Sequence, residues 1–221
     1  MTTAYELVVL DLAGTTVVDD GLVESAFARA WDRARDTEVG REAAIDHVRA
    51  TMGQSKIEVF RAIADEETAQ ALNGAFEDAL LELIDEGRCA PIPGAEETIR
   101  ALRSRGLAIA FTTGFSRSTA DAIIESLGWN ELADVVLTPA DAGRGRPAPD
   151  LALVALLRTQ TSSVAAMVTV GDTESDSASG RAAGAGLVVG VLTGGRTENG
   201  LLEAGADVVL ASIADLPAIL P

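Results

Sequence analysis

The chain has 221 residues, 48% of them hydrophobic, with 34 acidic and 17 basic side chains and a formal net charge of −17. That length and apolar content supply one substantial domain or a domain with an insertion, and the acidic balance disfavours nucleic acid and anionic membrane surfaces, which are bound through Lys and Arg. No apolar run approaches the roughly 20 residues of a membrane span, the N-terminus has no segment of signal-peptide type, and the single cysteine, Cys89, excludes an intrachain disulfide and argues against a thiolate metal site, so a cytoplasmic location is expected.

Leu7, Val8, Val9 and Leu10 form a short, evenly apolar run. Such a run reads as a strand buried on both faces of a parallel sheet. Asp11 closes it, at the carboxyl end where open α/β sheets bind their ligands. Gly14 permits a tight turn there, and the N–H groups around Gly14 and Thr15 are expected to face an anion. A lone aspartate after a strand is most often a turn residue or helix cap. Partners further along the chain instead favour Asp11 as the nucleophile of a phosphoryl-transfer enzyme.

Asp19-Asp20-Gly21 opens a helix carrying Val23, Ala26, Phe27, Ala30, Trp31 and Ala34 at helical spacing. Further helices are predicted at 42–51, 55–65 and 67–86, with no strand among them. His47, the only histidine, is read as an ordinary helix residue. Residues 19–91 are therefore expected to form a helical cap inserted into an α/β core made of 1–18 and 92–221. Beyond Pro91-Ile92-Pro93-Gly94, strands are predicted at 107–112, 135–137, 167–170, 187–192 and 208–210. They alternate with helices at 95–105, 119–127, 148–158 and 175–183. The pattern is that of a Rossmann-like parallel sheet with helices on both faces.

In such a sheet four strand ends meet at one edge, and each carries chemistry. Asp11 can attack phosphorus to give an aspartyl-phosphate. Asp11 and Asp172 offer the oxygen ligands that Mg²⁺ prefers. The Thr113 hydroxyl and Gly114 N–H can hold phosphoryl oxygens, and Arg146 can offset the charge on the transferring group.

In this order the residues resemble the haloacid dehalogenase superfamily of hydrolases, over nearly the whole chain. Asp11 matches the motif I nucleophile, Thr113 motif II, Arg146 the motif III cation, and Asp172 with Asp176 the motif IV acidic pair. The resemblance implies Mg²⁺-dependent hydrolysis through an aspartyl intermediate. It also implies a helical cap that closes over the site, with hinges expected at 17–20 and 91–94.

One position departs from most phosphatases of that superfamily. They carry an aspartate two residues after the nucleophile, which protonates the leaving oxygen; here it is Ala13, which transfers no proton. Lys56, meanwhile, is the only lysine among 17 basic residues. Lysine, unlike arginine, can be held neutral and attack a carbonyl. Residues 11–16 together with Met52-Gly53-Gln54-Ser55-Lys56 look like the phosphonatase, or phosphonoacetaldehyde hydrolase, family. That resemblance implies a Schiff base between Lys56 and a substrate aldehyde, so that the C–P bond breaks to an enamine and no alkoxide needs a proton. It implies substrate contacts from Met52, Gly14, Thr15, Thr113, Gly114 and Arg146, with the Ala13 carbonyl joining Asp11 and Asp172 on Mg²⁺ and Asp176 in support.

Other features of that family are absent. Val59 stands where it has a histidine tied to the imine chemistry, Phe115 where it has a tyrosine, and Gly21-Leu22 in the region of an early cap cysteine. Two further readings therefore stay open. One is a phosphatase for a small phosphorylated metabolite with a good leaving group, which needs Asp11 and Mg²⁺ but not Lys56. The other is a sensor that keeps the fold without catalysis. A small phosphorylated or phosphonate metabolite is the expected partner, and a homodimer is compatible with each reading.

Overall fold

The structure, a computed structural model, describes residues 5–33 and 40–220. Ala34, the last apolar position expected in the first helix, lies outside them. Six strands form one parallel sheet: β1 (Leu7–Asp11), β2 (Ala108–Thr112), β3 (Val135–Leu137), β4 (Met167–Gly171), β5 (Leu187–Val191) and β6 (Val208–Leu210). Their order is β3-β2-β1-β4-β5-β6. β1 is buried at every position and lies between β2 and β4, with Leu10 opposite Phe111 on one side and Val170 on the other. The chain lays β2 and β3 to one side of β1 and then crosses to the other for β4. The carboxyl ends of β1 and β4 therefore flank the point where strand order reverses, which is where sheets of this kind bind ligands.

Between β1 and the rest of the sheet lie α1 (Leu22–Arg33), α2 (Arg41–Ala50), α3 (Lys56–Arg61) and α4 (Glu66–Asp85). Among the described residues this segment contains no strand. α1 and α4 lie side by side, burying Phe27 and Trp31 against a helix whose inner stripe is Leu72, Phe76, Leu80 and Leu83. Trp31, Phe27, Phe60 and Phe76 form a run of rings with centroids 5.5, 5.5 and 6.0 Å apart. The outer faces carry Arg29–Glu86 and Arg33–Glu82 ion pairs, which are exposed and add little stability.

After this segment come α5 (Ala95–Ser104), α6 (Arg117–Ser126), α7 (Pro139–Ala142), α8 (Asp150–Arg158), α9 (Glu174–Ala183) and α10 (Glu198–Glu203). Alternate strand residues point to opposite faces. Val8 and Leu10 pack with Ile99 of α5 and Ile123 of α6, whereas Leu7 and Val9 pack with Leu151 of α8, Ala183 of α9 and Leu201 of α10. The two chain crossings to the helical segment run side by side, Val18 N–H donating to the Ala90 carbonyl at 2.8 Å and Ile92 N–H to that of Thr16 at 2.9 Å.

Most predicted elements appear within one or two residues of their expected bounds. The helix expected at 55–65 is shorter, ending at Arg61. Asp65 is extended and its side chain accepts from Thr68 N–H at 2.8 Å, so it caps α4 and cannot also continue α3. α7 and α10 were not predicted. Each is a single short turn set off by its own threonine at the N-cap, Thr138 and Thr197. No described helix is long and apolar enough to cross a membrane.

The ring stack holds the helical segment together. Phe60, at 1% exposure, touches rings on both sides of it. Phe60→Ala should cost about 3–5 kcal/mol through the cavity it leaves, measured as a shift in urea midpoint with little change in slope. A loss under about 1 kcal/mol would mean the stack is not a core.

Candidate active site

Asp11 ends β1 and is followed by a turn that the sequence closes on itself. The Thr16 hydroxyl lies 2.9 Å from the Asp11 carbonyl and 3.1 Å from that of Leu12, to which it donates. Gly14 has a φ of 86°, and a Cβ there would run into the Asp172 carboxylate. Only glycine meets both demands. Asp172 follows β4, and the Thr15 hydroxyl donates to its Oδ1 at 2.9 Å. Thr173 caps α9, and the Asp176 side chain accepts in return from Thr173 N–H at 3.0 Å. This capping box aims Asp176 back at the strand ends.

Asp11, Asp172 and Asp176 are all buried and bring one oxygen each to within 4.8 Å of one another. Arg146, 6% exposed, reaches Asp11 at 2.5 Å and also pairs with Asp176. One buried guanidinium does not balance three buried carboxylates. Burial, and then the charge of Asp11, push the Asp172 carboxyl up to about 8. A cluster of oxygen donors with excess negative charge is the kind of set that takes a hard divalent cation.

The loop after β2 faces this cluster. Thr113 N–H donates to the Leu137 carbonyl at 3.1 Å, and its Oγ1 accepts from Phe115 N–H at 3.2 Å, which leaves the hydroxyl proton for another acceptor. The Gly114 carbonyl accepts from the backbone N–H of Lys56 at 3.3 Å. A Cβ on Gly114 would overlap the Gln54 carbonyl, so bare backbone lets the 52–56 segment seat directly on this loop. Lys56 is thereby drawn in to 8% exposure. Its Nζ stands 5.7 Å from the centre of the Phe115 ring. Burial lowers its pKa to about 8; nearby Asp19 opposes that shift and Arg146 adds to it.

The residues singled out from sequence thus come together. Asp11, Ala13, Met52, Lys56, Thr113, Gly114, Arg146 and Asp172 border one space of about 20 Å³, room for about one water. Some contacts differ from expectation. Gly14 N–H is spent on the Val17 carbonyl at 2.7 Å and Thr15 N–H on that of Leu12 at 3.4 Å. With the Thr15 hydroxyl on Asp172 as well, the donors of these two residues brace the turn. Arg146 binds Asp11 and Asp176, while its Nε is buried without a partner. The Ala13 carbonyl takes part in none of the turn's hydrogen bonds.

Asp19 was not singled out beforehand, because an Asp-Asp-Gly turn is an ordinary helix start. Its carboxylate proves half-buried, and it borders a cavity whose lining residues Met52, Asp172 and Thr173 also line the space around Lys56. Val59 and Phe115 are both packed into the apolar core. His47 lies in α2, its Nε2 3.2 Å from the Val59 carbonyl, and ties α2 to the last turn of α3.

Residues 5–184 match the family described as haloacid dehalogenase-like hydrolase. Over 222 aligned residues the chain is 33% identical to a phosphonoacetaldehyde hydrolase of Bacillus cereus, covering 92% of this chain and 81% of that protein. A phosphonoacetaldehyde hydrolase of Bacillus cytotoxicus is 28% identical, covering 97% and 95%. Among solved structures, a hydrolase from Pseudomonas syringae superposes with a TM-score of 0.85 at 23% identity, over 97% of both chains. A phosphonoacetaldehyde hydrolase like protein from Oleispira antarctica superposes with a TM-score of 0.82 at 25% identity, over 98% of this chain and 91% of that one. The chain belongs to the haloacid dehalogenase-like hydrolase family, and within it to the phosphonatase-like hydrolases.

Proposed function

We propose that the protein hydrolyses the carbon–phosphorus bond of a small phosphonate bearing a carbonyl group, with phosphonoacetaldehyde as the compound to test first. The observation that carries this reading is Lys56: the only lysine in the chain, buried beside Asp11 and Arg146 where the strands end. A buried amine with a lowered pKa is a nucleophile near neutral pH.

Lys56 attacks the carbonyl carbon and, with loss of water, forms an iminium that draws electrons from the adjacent carbon. Asp11 attacks phosphorus; the C–P electrons flow into the iminium and leave as an enamine. Thr113 and Gly114 hold phosphoryl oxygens, and Arg146 offsets their charge. Water then hydrolyses the aspartyl-phosphate, and hydrolysis of the enamine frees Lys56. Ala13 fits this chemistry, because a carbon leaving group held as an enamine needs no acid at that position. Three buried carboxylates against a single guanidinium fit Mg²⁺; Asp11, Asp172 and the free Ala13 carbonyl would hold it, with Asp176 in support. When bound, Mg²⁺ offsets the repulsion between the nucleophile and the phosphoryl oxygens.

On this reading residues 19–91 act as a cap. The space between Asp11 and Lys56 holds about one water, though cavities of about 190 and 290 Å³ adjoin it; the substrate seats there as the helical segment separates from the sheet. The paired crossings at 17–20 and 91–94 are the hinges.

A phosphatase acting on acyl phosphates is the second reading, favoured by the apolar packing of Val59 and Phe115. Borohydride added with phosphonoacetaldehyde should trap a covalent adduct on Lys56, located by mass spectrometry. Trapping should speed up as pH rises through about 8, where the amine loses its proton. No adduct and no phosphate from this compound, together with acyl-phosphate hydrolysis that survives Lys56→Ala, would select the phosphatase.

Stability should move the other way. The lysine pKa falls from 10.5 to about 8 in the folded state, so folding disfavours its charged form. That cost is full below about 8 and fades as pH rises toward 10.5, where the unfolded lysine is also neutral. Lys56→Met should therefore raise the melting temperature at pH 7, by at most about 3 kcal/mol of stability, and the gain should vanish by about pH 11. A variant less stable than the parent at pH 7 would show that the lysine is paired and not stranded.

A further inference from the structure

The imine step needs a proton that none of the groups given a role so far supplies. A carbinolamine loses its hydroxyl as water only when that oxygen is protonated. Among the described residues, the charged groups acting on Lys56 are Asp19, Arg146, Asp11 and Asp172. Asp11 is the nucleophile. Asp172 faces the metal site, and arginine does not release its proton. Asp19 is the group left over.

Its placement suits the task. Asp19 sits on the crossing between β1 and α1, half-buried, with one oxygen accepting from Val23 N–H at 3.0 Å. Its other oxygen has no hydrogen-bond partner among the described residues. It borders a cavity of about 290 Å³ with Met52, Asp172 and Thr173, and these three residues also line the space around Lys56. Two arginines border the same cavity, yet both are engaged elsewhere. Arg49 pairs with Glu24 at 2.9 Å, and Arg196 donates to the Arg49 carbonyl at 2.6 Å and lies 3.5 Å from Glu174.

We infer that Asp19 is the proton-transfer residue of the imine step, an inference that rests on the Lys56 reading above. The neutral Nζ bonds to the carbonyl carbon, the C=O pair moves to oxygen, and a proton passes from nitrogen to oxygen to give a neutral carbinolamine. The Asp19 carboxyl then donates its proton to the hydroxyl, the C–O bond breaks and water leaves. The nitrogen lone pair closes the C=N bond, leaving an iminium paired with the Asp19 carboxylate. Burial holds the Asp19 carboxyl above the usual carboxylate range; the Val23 N–H and the Lys56 ammonium pull against it, and Asp11 and Glu24 add to it. That shift favours the protonated form that the step uses.

Asp19→Asn is the informative change, because an amide oxygen still accepts from Val23 N–H while the acid is gone. Trapping with phosphonoacetaldehyde and borohydride is followed in Mg²⁺-free buffer at pH 7, so that cleavage does not compete. The expected result is trapping slowed by about 10²-fold at an unchanged melting temperature, with partial recovery in Asp19→Glu. Added formate should restore part of the rate in Asp19→Ala, entering through the adjoining cavity. A passive negative neighbour predicts the opposite sign: without it Lys56 is more often neutral, and trapping at pH 7 becomes faster. Equal or faster trapping in Asp19→Asn therefore overturns the inference. Absence of any adduct in the unaltered protein overturns the Lys56 reading itself.

Discussion

The crowding of Asp11, Asp172 and Asp176 at the carboxyl ends of β1 and β4 is the constraint on which the rest depends. Burying a carboxylate is costly, and burying three together is more so. The fold accepts this because each is fixed by a local device. Asp11 closes the central strand, Asp172 takes the Thr15 hydroxyl, and Asp176 belongs to the capping box of α9. Arg146 bridges two of the three and leaves the cluster short of positive charge. The net charge of −17 makes the shortage worse across the molecule. On the proposed reading the site repels its own substrate's phosphorus oxygens unless a cation sits in it, so the same imbalance that destabilises the apoprotein favours a hard divalent cation.

The helical segment answers to that site. Residues 52–56 rest backbone against backbone on the Gly114 loop, and the contact would fail with a side chain at 114. This seating carries Lys56 in from what would otherwise be a solvated helix start. Arginine could not replace it: its charge would persist, and it forms no imine. Ala13 and Lys56 are thus two sides of one choice on the proposed reading, giving up an acid for an oxygen leaving group and gaining an electron sink for carbon.

Much of this could be read from the chain because buried parallel strands are short apolar runs, and β1 ends on Asp11 while β4 runs directly into Asp172. The helices of residues 22–85 announce themselves by period. What could not be read came from contacts across long separations. Thr15 looks like a phosphate ligand until Asp172, 157 positions away, claims its hydroxyl. Arg146 reads as a phosphoryl clamp, yet in the structure it sits on Asp11 and Asp176. Asp19 lies in an ordinary turn pattern, and only the tertiary packing brings it to a cavity that adjoins the space around Lys56. The helix expected at 55–65 overruns α3 because the apolar spacing continues past the point where Asp65 turns outward to cap α4.

On the proposed mechanism closure and reactivity are one event. A lysine in water has a pKa near its ordinary 10.5 and is an ammonium at neutral pH; packed under α1 and against Phe115 it falls to about 8. An opening of the segment to admit substrate would restore water and with it the charge. On the proposed mechanism the amine becomes a nucleophile only after the substrate has been enclosed, when the space is too small to hold bulk water beside the phosphoryl group. Free aldehydes meeting the open form encounter an ammonium that does not react. On that mechanism an apolar packing that looks like a mere core, Phe115 and the ring stack that includes Phe60 of α3, would restrict the imine to compounds that also let the helices shut.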